Sequence, residues 1–361
     1  MDSKLIRGTS DCSRRDKMKK FVSVLLVVAV IFFANFSVNA IGSKGKTALK
    51  ANISDISGRS DAAVIKEIVA KGIMLTVGGK FSPEKCVTRS EFVVILHKAL
   101  GIKIMYFAAP DITKIFSDVK NTDAYADYLY DLVTTNIIDF RGQFKPKSII
   151  TREEMIHYLM NAYHYKMKGD ENQKAPDVNN FNKFRDKNKI SEKFINDVKE
   201  AASLGIAKAK NKNMFLPKAK ATRADVAESL HGLLSAIPVK PSDIIVTPTY
   251  VKNASTFKMG LTINNKSLSN ITINHTSGKK YDFVLLDSDK NEIYRWSKGM
   301  FFTLSLTKTT IEAGKSVTFE VSLDMAGNAD LVAKAKYMRA YIAGQSSEFK
   351  VNADGYVVDI T

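Results

Sequence analysis

The chain has 361 residues, 45% hydrophobic and 25% charged, with a formal net charge of +17. That length exceeds one ordinary domain, and two cysteines cannot build a disulfide scaffold, so stability must come from packed cores. The basic excess suits a polyanionic partner.

The first strongly apolar run is Phe21–Ala34, preceded by Arg14, Arg15, Lys17, Lys19 and Lys20 and followed by Val38-Asn39-Ala40. A basic flank, a short apolar core and a small-x-small ending predict a secretory signal peptide over residues 1–40. The run is too short for a comfortable membrane span, so no membrane segment is expected in the mature form. A start at Met18 gives a more ordinary leader. Cys12 lies upstream of the run and so cannot be a lipoprotein cysteine. Cleavage leaves Cys86 as the one cysteine, and 47 basic against 34 acidic residues, a net +13. Outside a bacterium, a polyanion means wall polymer before nucleic acid, and no nucleic-acid partner is expected.

A gapped pattern then occurs three times. Phe81-Ser82-Pro83 precedes Thr88-Arg89-Ser90-Glu91, Phe144-Lys145-Pro146 precedes Thr151-Arg152-Glu153-Glu154, and Phe215-Leu216-Pro217 precedes Thr222-Arg223-Ala224-Asp225. The threonines are 63 and 71 residues apart, and such spacing marks an internal repeat. Thr-Arg-x-Glu is a capping box, in which the Thr hydroxyl accepts from the N3 amide and the N3 acid returns to the N-cap amide. Thr88 with Glu91, Thr151 with Glu154, and Thr222 with Asp225 are the expected caps. The shorter Asp225 is expected to make the weaker return bond.

Apolar residues recur four, five, eight and twelve positions after each Thr: Phe92, Val93, Leu96 and Leu100 in the first copy, with matching sets in the others. This spacing predicts one buried helical face. A second helix precedes each Phe-x-Pro and stops at Gly72-Ile73, Asn136-Ile137 or Gly205-Ile206, where Gly or Asn suits a left-handed terminus. An aspartate (Asp55, Asp118, Asp186) lies about 18 residues before each stop.

These units resemble S-layer homology modules, most closely at Phe116-Ser117-Asp118-Val119 and Thr222-Arg223-Ala224-Asp225. Ile53-Ser54-Asp55, Asn136 and Asp225 depart from the family pattern. The modules are expected over residues 52–101, 115–165 and 183–236. The resemblance implies a pseudo-threefold all-α bundle that binds secondary cell-wall polysaccharide, an anionic and commonly pyruvylated polymer, in grooves between modules. Arg89, Arg152 and Arg223 each fall at the first position of a helix, where the positive dipole end favours an anion and a guanidinium fork suits a carboxylate. They are the candidate polysaccharide-binding residues. The competing role for them is pairing with acids of a neighbouring module.

Residues 166–182 are expected to be a polar loop, and 237–255, with Pro238, Pro241 and Pro248, an extended linker. Over 256–361 the period changes to two, as in Phe257, Met259, Leu261 and Ile263 and in Val317, Phe319, Val321 and Leu323. Further β-like runs fall at 269–275, 280–287, 291–296, 300–307, 336–343 and 346–352. Seven or eight short strands separated by turns such as Ala313-Gly314 and Gly327-Asn328 predict an all-β antiparallel sandwich. Leu261-Thr262-Ile263-Asn264-Asn265, Ser277-Gly278-Lys279-Lys280-Tyr281-Asp282-Phe283, Arg295-Trp296-Ser297 and Ile311-Glu312-Ala313-Gly314-Lys315-Ser316 resemble, in order, the BsuPI-like intracellular proteinase inhibitor family. That resemblance implies an immunoglobulin-like sandwich and inhibition of serine proteases. Trp296 is expected in its core. Ser297–Met300 and Gly327–Ala335 are the expected rigid, exposed inhibitory loops.

No catalytic constellation, metal site or cofactor motif is expected. His97 and His231 hold the helix position that Met160 fills in the second copy, which reads as packing. His157 and His164 lack a metal-ligand pattern. The sequence therefore predicts a multidomain, secreted, non-enzymatic protein held at the cell wall and surface, presenting a domain that inhibits a secreted serine protease. The alternative is a structural or adhesive S-layer-associated protein whose sandwich is a spacer or protein-binding module.

Overall fold

The computed structural model describes residues 53–168 and 177–361. The expected leader and Cys12 lie outside the described residues, as do residues 169–176 of the expected polar loop. The chain divides after Ala236 into two compact units.

In the N-terminal unit each module contributes a pair of helices. Module one has α1 (Ala62–Ala70) and α2 (Arg89–Leu100), and module two α3 (Ala126–Thr134) and α4 (Arg152–Met167). Module three adds one turn, α5 (Asn179–Asn182), before α6 (Ile195–Ser203) and α7 (Arg223–Ala236). The first helices stop where Gly72, Asn136 and Gly205 adopt left-handed backbone, with φ of 69°, 57° and 72°. The amides of Ile73, Ile137 and Ile206 then reach back to the carbonyls of Ile68, Leu132 and Ala201, satisfying helix-end acceptors. Glycine has a second use in α7. A Cβ on Gly232 would lie 2.6 Å from the Gly205 carbonyl oxygen, so this helix crosses its neighbour's stop at backbone contact.

The three Phe-x-Pro loops are held alike. The Asp55 carboxylate accepts from the amides of Phe81 and Ser82, Asp118 from Phe144 and Lys145, and Asp186 from Phe215 and Leu216, all at 2.7–2.8 Å. The middle residues Ser82, Lys145 and Leu216 all have φ near +57°, a costly conformation outside glycine. The aspartate clamp offsets that cost and turns Phe81, Phe144 and Phe215 into the interior, where each is fully buried.

The modules close on one another in a ring. The Val87 amide donates to the Ala221 carbonyl, Ala221 to Ile150, and Ile150 to Val87, at 2.9–3.1 Å. All three residues are buried, so their backbone groups must find protein partners. Around this ring α2 packs on α3, α4 on α6, and α7 on α1.

The expected fold class is corrected in both halves. The module unit is not an all-α bundle. Its helices alternate with long turns, 3-10 turns such as Ile112–Lys114, and isolated β-bridges, among them Cys86 with Thr222, Thr88 with Ile149 and Thr151 with Lys220. The loops before the capped helices are buried at the ring, and strand-like pairing is how their amides are satisfied. The C-terminal unit is not all-β, because Met325–Lys334 forms a helix, α8. Asp324 caps it by accepting from the Ala326 amide at 2.9 Å. Its Gly327-Asn328, which read as a turn, is one step of that helix, and so is most of the expected Gly327–Ala335 loop.

A β-sandwich is nonetheless present, as nine antiparallel strands in three sheets. β1 (Ile244–Lys252), β2 (Thr256–Asn265) and β7 (Ser316–Asp324) lie in the order β1-β2-β7. β3 (Ile271–His275) pairs with β6 (Thr307–Ile311). β4 (Tyr281–Leu286), β5 (Glu292–Arg295), β8 (Tyr337–Ile342) and β9 (Tyr356–Asp359) follow the order β5-β4-β8-β9. Phe257, Met259, Leu261 and Ile263 of β2 meet Ile271, Ile273, Phe283, Leu285 and Met338 in one core. β1 lies inside the stretch read as linker. Pro248 sits in it without cost because β1 is an edge strand with one side free of ladder bonds.

Candidate functional site

Thr88, Thr151 and Thr222 open the capped helices, but the boxes differ. Thr88 accepts from the Glu91 amide, and Glu91 returns to the Thr88 amide at 2.9 Å. Asp225 returns to Thr222 at the same 2.9 Å, so the shorter acid reaches after all. In module two Thr151 accepts from the Glu154 amide at 3.3 Å, while the Glu154 carboxylate is drawn to Arg89 instead.

The three arginines span the junctions between modules. Arg89 donates to the Phe144 carbonyl at 2.8 Å and to Glu154. Arg152, fully buried, donates to the carbonyls of Phe215 and Lys208 at 2.8 and 2.9 Å and to Asp225. Arg223 closes the ring by donating to the carbonyls of Phe81 and Leu75, both at 2.7 Å. Their guanidinium carbons stand over the rings of Phe140, Phe215 and Phe81 at 5.6, 5.2 and 4.6 Å, in cation–π range.

The junctions are electrostatically unequal. At the second, burial pushes the Asp225 carboxyl up, but Arg152 and Lys210 (2.6 Å) outweigh it and hold it below its usual range. At the third, Arg223 makes no hydrogen bond to a carboxylate among the described residues, where its bonds run from Nε and Nη2 to the two carbonyls. Glu91, the acid in the corresponding place, is engaged by Lys85 at 2.9 Å and by the Thr88 amide. Burial lowers the Arg223 pKa, and the charges of Glu91 and Asp55 only partly oppose it. A half-buried guanidinium without a carboxylate partner among the described residues, at a helix N-terminus, is suited to an outside anion.

Every module junction also carries a histidine–acid pair. His97 of α2 meets Asp131 of α3 at 2.7 Å, His157 of α4 meets Asp197 of α6 at 2.7 Å, and His231 of α7 meets Glu67 of α1 at 3.2 Å. His164 adds Glu200 at 3.0 Å. The packing role expected of His97 and His231 is thus a polar one. Sequence did hold a signal: Glu67, Asp131 and Glu200 each lie five residues before a helix stop.

In the C-terminal unit the separated motifs converge on one buried carboxylate. Asp282 accepts from Lys279 Nζ and Ser297 Oγ, both at 2.6 Å, from Arg295 at 3.1 Å, and from the amides of Phe283 and Ser297. Burial pushes its pKa up, but the bonds from Lys279, Ser297 and Arg295 prevail and hold it down. Trp296, partly buried, stacks on Tyr281 at 5.0 Å. Among the described residues no cluster of three or more His, Cys, Asp or Glu could hold a metal ion, and no helix is long and apolar enough to cross a membrane.

Comparison with known proteins agrees with this division. The S-layer homology domain model matches residues 52–93, 115–156 and 183–227, and the Intracellular proteinase inhibitor model matches residues 244–347. Exoglucanase XynX of Acetivibrio thermocellus is 38% identical over 43% of this chain and 13% of its own length. Amylopullulanase of Thermoanaerobacterium thermosulfurigenes is 35% identical over 43% of this chain and 8% of its own. An endoglucanase of Bacillus sp. (strain KSM-635) is 28% identical over 60% of this chain and 22% of its own. The chain thus spans less than a quarter of each of these relatives. S-layer homology modules bind cell-wall polysaccharide and anchor proteins at the cell surface. The chain therefore carries three S-layer homology modules, which indicate association with the cell surface, followed by a domain of the intracellular proteinase inhibitor family.

Proposed function

We propose that the module unit holds the protein non-covalently on an anionic, pyruvylated secondary cell-wall polysaccharide, and that the C-terminal domain inhibits a secreted serine protease there. The protein then acts by binding, without catalysis of its own. The observation that carries the first half is Arg223, a half-buried cation without a carboxylate partner among the described residues at the third junction. A polymer carboxylate would supply the partner that Glu154 and Asp225 supply to the other two arginines. The groove at Arg223 is then the principal site, and Arg89 and Arg152 serve mainly to join modules.

The full mature chain should sediment with intact wall fragments and stay in solution once the secondary polymer is chemically stripped. Equal sedimentation with bare peptidoglycan sinks the assignment. A charge-assisted hydrogen bond contributes about 1.5–3 kcal/mol, so Arg223→Ala should weaken binding roughly tenfold or more.

A further inference from the structure

The residues between β5 and β6 form no strand, although 300–307 alternate as a strand would. Instead they present the largest apolar side chains of this unit to solvent. Phe301 is 101% exposed, Leu304 91% and Leu306 83%, with Met300 half exposed. Three large hydrophobics within six residues make a contiguous apolar patch of the kind that marks a binding surface.

The segment is nonetheless fixed at its middle and its ends. Met300 closes a turn onto the Ser297 carbonyl at 3.1 Å, and Ser297 is itself held by Asp282. The Phe302 ring packs back on Trp296 at 6.0 Å, with Lys279 5.9 Å from it. The Thr303 carbonyl accepts from the Gly278 amide at 2.8 Å, and Thr307 Oγ1 donates to the Ser277 carbonyl at 3.1 Å. Gly278 eases this approach, because a Cβ there would lie 2.6 Å from Thr303 Oγ1 and the hydroxyl would have to shift. So Phe302 and Thr303 anchor the segment while Phe301, Leu304 and Leu306 point away from the domain.

Together these features describe an exposed apolar segment pre-organised by anchors, part of whose ordering entropy is lost before a partner arrives. A protease cleft recognises such a strip by pairing with its backbone and taking alternate side chains into pockets. The match to the intracellular proteinase inhibitor family runs through residue 347 and so includes the segment.

We infer that residues Met300–Leu306 are the protease-binding segment, with Phe301 filling the specificity pocket of a serine endoprotease that prefers large apolar side chains, as subtilisin does. This rests on the inhibitor reading of the domain and adds the contact surface and the specificity class. Phe301 takes that role because it is the aromatic side chain directly before the anchor, and aromatic anchors dominate interface energetics. A trypsin-like enzyme, whose pocket takes a basic side chain, has no partner in this strip.

The test titrates the full mature chain against subtilisin and against trypsin, using peptide substrates and reading the inhibition constant. Inhibition of subtilisin and not of trypsin is expected. Phe301→Asp should raise the subtilisin constant on the order of 100-fold, and Phe301→Leu should keep it within about tenfold. Because Phe301 lies wholly in solvent, the fold should be unaffected, and unchanged circular dichroism and Trp296 fluorescence check this. Gly278→Val, which dislodges the anchor, should turn the segment into a substrate, cut within residues 300–306 as read by mass spectrometry. If subtilisin is inhibited and both Phe301→Asp and Leu304→Asp inhibit as well as the parent, the segment is not the contact, although the domain remains an inhibitor. If the parent chain inhibits neither enzyme, the inhibitor reading falls and this assignment falls with it.

Discussion

The second and third junctions of the module ring are built from one repeat, yet they handle the same arginine oppositely. At the second, Arg152 is buried and neutralised by Asp225, with Lys210 beside it. At the third, Arg223 hydrogen-bonds among the described residues to carbonyl oxygens alone, while Glu91 is held by Lys85 and its own helix cap. The repeat therefore specifies where the cation stands, but it does not specify whether the next module's acid reaches it, since both Asp225 and Glu91 also hold a lysine and their own cap amide. One motif thus yields an arginine paired with a carboxylate in one place and an arginine without a carboxylate partner among the described residues in another.

Separating stability from binding should sharpen this contrast most. Arg152→Ala leaves the buried Asp225 carboxylate with Lys210 and its own cap, strips the Phe215 and Lys208 carbonyls of their donor, and should cost about 3 kcal/mol. Arg223→Ala leaves only two carbonyls short of a donor and should cost roughly 1–3 kcal/mol. Denaturant unfolding measures both. Equal losses would mean that the two junctions are alike and that Arg223 is one more structural joint. Lys85→Ala addresses the same point from the other side, because it releases Glu91. If Glu91 then turns to Arg223, wall binding should fall although neither residue has been changed.

The aspartate clamps offer a second contrast, between a buried and a half-exposed copy of one contact. Asp186 is buried and Asp55 is not, and each accepts two amide hydrogen bonds. Asp186→Ala should destabilise the protein by about 3 kcal/mol, whereas solvent should replace part of what Asp55→Ala removes and limit its cost to about half of that. Thr88→Ala, which removes one cap, should cost about 1 kcal/mol, and less if Ser90 substitutes for it.

The parts of this ring that sequence made legible are those written as local pattern. Three Phe-x-Pro and Thr-Arg repeats, their helix stops and the caps are short-range features, and periodicity places them. The partners of Arg89, Arg152 and Arg223 were not legible, because each lies 55 or more residues away and depends on how the ring closes. The all-α and all-β expectations failed for related reasons. Bridges between modules involve residues that have no strand pattern of their own, and α8 hides behind a Gly-Asn step that reads as a turn. In the C-terminal unit the ordered motifs were visible, but Asp282 was not marked as the point where Lys279, Arg295 and Ser297 meet. The run at 300–307 shows the limit of periodicity. Of the alternating Met300, Phe302, Leu304 and Leu306, Phe302 packs inward on Trp296 while Leu304 and Leu306 face solvent, so the period marks no ladder and no single face.

The smallest expected effect concerns protons at the junctions. His157 is faced by Asp197 at 2.7 Å and Asp139 at 3.0 Å, with Asn161 and the ring of Phe194 completing its surroundings. Burial works to lower its pKa, but the two aspartates prevail and raise it above 6.5. A histidine whose pKa is raised by folding contributes stability that is complete below its unfolded value. That contribution is lost as pH climbs through the folded value. The α4–α6 contact should therefore weaken as pH climbs above the ordinary histidine value and through the raised folded one, lowering the melting temperature. His157→Asn should remove most of that slope while lowering stability at pH 6.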